Sequence, residues 1–237
     1  MTSCQPNAYV TDVLTFLVDL HVHTRLGSAD SSLQPQELVQ AARARGLSGI
    51  AVTEHYRVWS PSDVEQYSTP DFQVFAAAEV NTDFGHALVF GLNYHPRSRC
   101  IRELKREVED GGGAIVLAHP FRGHFDHWRD SGAESLRLER LAESGAVHAI
   151  EVLNNGCTDS ENRLAGRLAD AAGLRMVAGS DAHVIDHLGS CTTAFADVPR
   201  DGHDLASRLV SGEGVLDLRG PSRASQLKSD VAEVAKR

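Results

Sequence analysis

The chain has 237 residues, 42% hydrophobic and 23% charged, enough for one α/β barrel or two small domains, with no low-complexity tract that would keep it unfolded. Its 32 Asp and Glu outnumber 23 Lys and Arg, for a formal net charge of −9, a field that repels polyanions and speaks against tight non-specific binding to long nucleic acid. The apolar stretch Val13 to Leu20 is too short to span a bilayer and no basic segment precedes it, so the expectation is a cytoplasmic protein with no cleaved signal and no membrane association.

Short β-rich runs alternate with helical patterns, the signature of parallel strands joined by crossover helices. The first strand, Phe16–His21, leads into Asp19-Leu20-His21-Val22-His23, where strand alternation sends Asp19, His21 and His23 to one face. Side chains at i and i+2 lie about 7 Å apart at Cβ, close enough for two imidazoles to converge on one ion. Pro35 to Gly46 opens with a proline suited to a first turn and closes with a glycine suited to a stop, which predicts a helix. Strands follow at Gly49–Thr53, Val74–Glu79, His86–Gly91, Ala114–Ala118, Ala149–Leu153 and Met176–Gly179, with helices at Glu103–Glu109, Ser135–Glu143, Ser160–Ala172 and Asp204–Leu209. In the tail Ser225–Arg237, Leu227, Val231 and Val234 have the period of a terminal helix. Seven strands suit a barrel, and with no linker or repeat the expectation is one domain over residues 1–237. Cys4, Cys100, Cys157 and Cys191 are widely spaced, without a Cys-x-x-Cys pair, and read as free thiols.

The metal-capable residues fall at the carboxyl ends of these strands, where barrel enzymes place their chemistry. Thr53-Glu54-His55 ends the second, Glu79 the third, His119-Pro120 the fifth, Glu151 with Asn154 the sixth and Ser180-Asp181-Ala182-His183 the seventh, while His86 opens the fourth. Asp19, one alternation before His21, is placed to accept a ligand imidazole N–H and fix its tautomer. His95, His124, His127, His148, His187 and His203 sit in no such pattern, although His124 and His127 follow His119 closely enough to reach the same mouth.

These motifs in this order resemble the polymerase and histidinol phosphatase (PHP) family of metal-dependent hydrolases. The resemblance runs through Asp19-Leu20-His21-Val22-His23-Thr24, Val52-Thr53-Glu54-His55, Ala118-His119-Pro120-Phe121 and Gly179-Ser180-Asp181-Ala182-His183, and covers about residues 16–183. It implies a distorted seven-stranded (β/α) barrel with two or three divalent ions in a cleft at the strand carboxyl ends. One ion would take His21, His23, Glu79 and Asp181, with Glu79 bridging to a second held also by His119 and His86. A third would take His55, His183 and a residue of the loop after His23, for which Asp30 is the candidate. The second motif has Glu54 where the family usually has Asp. An all-His and carboxylate set suits zinc, manganese or iron alike.

Paired ions lower the pKa of a water between them from 15.7 to about 7 and clamp the oxygens of a phosphoryl displacement, while a guanidinium neutralises remaining charge. Arg122, just past His119-Pro120-Phe121, is the first candidate for that clamp and Arg57, just past His55-Tyr56, the second, which makes the expected catalytic set Asp181, His183, Arg122 and Arg57. The function expected is hydrolysis of a small phosphate ester, such as a sugar phosphate or nucleotide. Two alternatives stand beside it. One is a short-oligonucleotide exonuclease of the same family. The other is an amidohydrolase-type C–N hydrolase, whose commonest binuclear form needs a lysine at a strand end, where Lys105, Lys228 and Lys236 do not fall.

Overall fold

The computed structural model describes residues 16–123 and 131–217. Cys4, His124, His127 and the helix expected over Ser225–Arg237 lie outside them. In chain order the elements are β1 (Phe16–Val22), α1 (Pro35–Ala44), β2 (Gly49–Glu54), α2 (Pro61–Tyr67), β3 (Gln73–Thr82), β4 (Gly85–Phe90), α3 (Ile101–Asp110), β5 (Ala114–Leu117), α4 (Ser131–Glu143), β6 (Ala149–Asn154), α5 (Asp159–Ala172), β7 (Arg175–Gly179), β8 (Thr193–Phe195), α6 (Gly202–Ser211) and β9 (Val215–Leu216). Each of the seven expected strands is found within a few residues of its predicted span. The short β8 and β9, and α2 between the second and third strands, were not legible.

The sheet is where the expectation needs correcting. Among the described residues it has nine strands in the order β7-β6-β5-β4-β3-β2-β1-β8-β9 and is mixed, not seven parallel strands each followed by a helix. β1, β2 and β3 run parallel, as do β5, β6 and β7, but β4 is antiparallel to both its neighbours. The cause is local: Thr82 pairs with Gly85 across the two-residue turn Asp83-Phe84, a hairpin that returns the chain beside β3 and leaves no room for a crossover. β8 then pairs antiparallel to β1. The chain just after β7 returns to β1, Val22 bridging to Ala182, so the sheet curls into a nearly closed barrel.

Three apolar clusters hold it. Inside the barrel, Leu20, Phe75, Leu88, Phe90, Val116 and Val177 meet Leu205, Ala206 and Leu209, so the buried stripe of α6 plugs one end. That end is the one remote from the ligand-bearing strand termini, since Gly202 lies against Ala76 and Gly91. Outside, α3, α4 and α5 pack on β3 to β7 through residues such as Leu104, Leu141 and Leu168, and α1 packs on β1 and β2 through Leu38 and Ala42. Among the described residues no helix is long and apolar enough to cross a membrane.

Candidate metal centre

β1 carries the first two imidazoles. Val18 and Asp19 pair in step with Gly49 and Ile50 of β2, but Val22 stands opposite Val52, so β1 holds one residue more than β2 between those points. An extra residue reverses the face that later side chains take. Val18 and Leu20 therefore pack inside the barrel and Val22 packs outside it with Ile50 and Val52, while His21 and His23 turn into the mouth. Asp19 is left on the outer face, which corrects the expectation that it would orient a ligand ring. Its buried carboxylate accepts the backbone N–H groups of Ser180 (2.8 Å), Gly189 (2.8 Å) and His21 (3.2 Å), fastening β1 to the segment after β7. Burial pushes its pKa up to about 6 despite those bonds. Across the same seam Asp181 N–H donates to the His21 carbonyl (2.7 Å) and His23 N–H to that of Ala182 (3.0 Å). Asp181 and His119 both have positive φ, 55° and 25°, strain of the kind kept where the surroundings over-determine the backbone.

Glu79, at the inward-facing end of β3, is the hub. Its Oε2 lies 3.3 Å from His21 Nε2, 3.2 Å from His23 Nε2 and 3.3 Å from His55 Nδ1, and its Oε1 lies 2.6 Å from His86 Nδ1 and 3.0 Å from His119 Nε2. Asp181 Oδ1 faces the same space, 3.4 Å from His21 Nε2 and 3.2 Å from His23 Nε2. Among the described residues four overlapping groups have the proximity that one ion requires: His21, His23, Glu79 and Asp181; Glu79, His86 and His119; His23, His55 and His183; and His21, His119 and Glu151, in which Glu151 is already bonded to the His21 ring. Asp30 stands at the solvent side of the third, its Oδ2 3.2 Å from His183 Nε2 and 3.6 Å from His55 Nε2. All nine residues singled out as ligands thus line one cleft.

The donor set fits divalent ions. Among the described residues, His21 Nε2, His23 Nε2, His183 Nε2 and Asp181 Oδ1 are buried with no hydrogen-bond partner, and they converge. Orphaned groups of this kind are costly unless something cationic satisfies them. Burial disfavours charge on the His21 ring, yet Asp181, Glu151 and Glu79 raise its pKa well above the ordinary value. Burial works against the Glu79 anion too, but the surrounding imidazoles hold its carboxyl well below the usual range.

Several contributors were not assigned from sequence. His21 Nδ1 donates to Glu151 Oε1 (2.9 Å), so Glu151 does for His21 what Asp19 was expected to do. Glu151 Oε2 also accepts from His119 N–H (3.0 Å) and Asn154 Nδ2 (3.0 Å). A second register shift, between Glu151 and Leu153, turns both Glu151 and Asn154 inward. Arg122 reaches over them: its Nη2 donates to Asn154 Oδ1 (3.0 Å) and lies against Asp181 Oδ2. Arg57 points elsewhere, its Nη2 2.6 Å from Asp63 Oδ2 in the capping box of α2.

Residues 19–94 match the family model described as PHP domain, and residues 159–213 match one described as PHP-associated; together they cover more than half of the chain. Among solved structures, PsfC of Pseudomonas syringae superposes with a TM-score of 0.58 at 20% identity, over 94% of this chain and 98% of that one. A two-domain protein of Bacteroides vulgatus containing a predicted PHP-like metal-dependent phosphoesterase gives 0.60 at 19% identity, over 89% and 68%. An amidohydrolase of Chromobacterium violaceum, with bound sulfate, gives 0.56 at 16% identity, over 77% and 92%. At these identities the likeness is one of fold.

Proposed function

Because the chain belongs to the PHP family of metal-dependent phosphoesterases, we propose that it hydrolyses a small phosphate ester, a sugar phosphate or a nucleotide, with two or three zinc, manganese or iron ions in the Glu79 cleft. The observation that carries the reading from metal-dependent hydrolase to phosphoester is Arg122. Its permanently charged planar fork is held at the edge of the ligand cluster by Asn154 and Asp181, where the equatorial oxygens of a phosphoryl group would lie.

His21, His23, Glu79 and Asp181 would hold one ion, Glu79, His86 and His119 a second, and His55 and His183 with Asp30 a third. Such ions supply Lewis-acid charge and a nucleophile from water near neutral pH. The protein's own share is preorganisation: Glu151 holds the His21 ring, the Asp19 staple keeps Asp181 beside His21, and Arg122 stands where negative charge accumulates in phosphoryl transfer. The carboxylated-lysine form of C–N hydrolysis finds little support, since Lys105, the lysine among the described residues, lies on α3 and pairs with Glu109.

Elemental analysis of protein purified without chelator, followed by a phosphate-release screen over sugar phosphates, mononucleotides, nucleoside bisphosphates and histidinol phosphate, tests the reading. Two to three ions per chain and release from at least one class are expected. A fully loaded protein that frees no phosphate, or that cleaves C–N bonds instead, overturns it.

A further inference from the structure

His23 can offer Nε2 to an ion only in the tautomer whose proton sits on Nδ1. That Nδ1 lies 3.0 Å from the Ser28 hydroxyl, which can donate or accept. The surroundings of Ser28 decide which. Its oxygen is 2.7 Å from Glu54 Oε2, an acceptor, so the single hydroxyl proton is committed there. One of its two lone pairs takes the backbone N–H of His55 (3.3 Å), and the other is left facing His23, whose Nδ1 must therefore be the donor.

Glu54 is equally committed. Its four lone-pair sites receive Thr24 N–H (3.1 Å), Thr24 Oγ1–H, Ser28 Oγ–H and Trp59 Nε1–H (3.1 Å). Every side chain in the chain of bonds, from His23 through Thr24, Ser28 and Glu54 to Trp59, is at most 1% exposed, so water cannot reverse a donor's direction. Register explains how Glu54 comes to be there. It pairs with Ala78, which packs outside the barrel, so the Glu54 side chain leaves the cleft and runs beneath the loop that follows His23. Its stem passes so close to Gly27 that a Cβ there would lie 2.7 Å from Glu54 Cβ.

We propose that Ser28 and Glu54 are positioning residues that lock the His23 proton on Nδ1 and so aim Nε2 at the metal cleft. The inference rests on the reading of that cleft as a metal centre and not on the identity of the substrate. It also gives a physical role to the glutamate in the second motif, which acts on a ligand contributed by the first.

The test is made on the full chain with zinc as the probe. In zinc-loaded protein carrying 15N-histidine, His23 should show a slowly exchanging proton on Nδ1 and none on Nε2. Ser28→Ala should lose that signal and weaken zinc binding, measured by competition with a chromophoric chelator, about 10–100-fold. Ser28→Thr, which keeps the hydroxyl, should restore both. Thr192→Val removes a buried hydroxyl bond outside this network, to Asp217 Oδ2 (3.1 Å), and should leave the His23 signal and the zinc affinity near those of the parent. A parent whose His23 carries its proton on Nε2 overturns the proposal without any variant. So does a Ser28→Ala chain with parental affinity, or a Thr192→Val chain as impaired as Ser28→Ala, which would make the loss one of stability and not of positioning. A protein that passes these tests and releases no phosphate leaves this assignment standing and overturns the proposed function alone.

Discussion

Gly156→Ala should disable the Arg122 fork without touching a ligand. Gly156 donates its N–H to Asn154 Oδ1 (2.8 Å), and a Cβ on it would lie 2.8 Å from Arg122 Cζ and 3.2 Å from Nε, closer still to Nη2. These atoms are the far end of a flexible side chain, and Gly156 is not among the glycines with positive φ, so the backbone tolerates alanine and the guanidinium yields. Carbon atoms settle about 3.5–4.0 Å apart. The fork must therefore retreat by about 1 Å, which breaks its 3.0 Å bond to Asn154 and its contact with Asp181. A 1 Å misplacement of a positioning group can cost about 10²-fold. The expected loss in kcat/KM is about 10–100-fold, or about 1.4–2.7 kcal/mol of transition-state stabilisation. Arg122→Ala should lose about 10²-fold, Arg122→Lys should recover part of it, and the Gly156→Ala/Arg122→Ala double variant should be no worse than Arg122→Ala, since both act through one group. Steady-state kinetics on the ester found by the screen, with metal content measured on the same preparations, checks all four variants. A Gly156→Ala enzyme within twofold of the parent, or losses that add in the double variant, would refute the reasoning.

Glu79→Gln removes the anion shared by the ligand groups and should lose metal and nearly all turnover while keeping its circular dichroism; activity within tenfold of the parent would count against the hub. Chelation should lower the melting temperature, because ions that bind only the folded chain, at a hundred times their Kd, contribute about 2.7 kcal/mol, which for a chain of this length is about 5–10 °C; an unchanged midpoint by differential scanning calorimetry argues against bound ions. Burial pushes the Cys157 thiol up to about 12, leaving a thiolate fraction of about 10⁻⁴ at pH 8. Alkylation of the native protein followed by peptide mass spectrometry should therefore find Cys157 unmodified, and rapid labelling there would contradict the packing around it.

The elements and the ligands were legible because both depend on short-range pattern. Pro35 and Gly46 bracket α1, apolar runs mark the seven main strands, and metal-capable residues at strand ends converge because strand ends converge in a barrel. What escaped depends on pairing. Thr193–Phe195 is three residues long and becomes a strand only by lying antiparallel to β1, and the reversal of β4 follows from a hairpin whose two-residue turn reads locally as part of a loop.

The residues that orient the ligands were harder still, and for a single reason. Period-two alternation holds only while both strands advance in step, and β1 and β6 each slip by one residue within the site. In β1 the slip separates Asp19 from His21 and His23, so a carboxylate that alternation assigns to the ligand face becomes a staple across the seam. In β6 the slip brings Glu151 and Asn154, three residues apart, to one face, where the first holds His21 and the second holds Arg122. The carboxylate beneath His21 therefore comes from β6, two strands away across the seam and 130 residues along the chain, and only the folded sheet puts it there. A bulge beside a functional site re-aims a side chain, and in this protein two of them decide which acidic residues serve the cleft and which hold it closed.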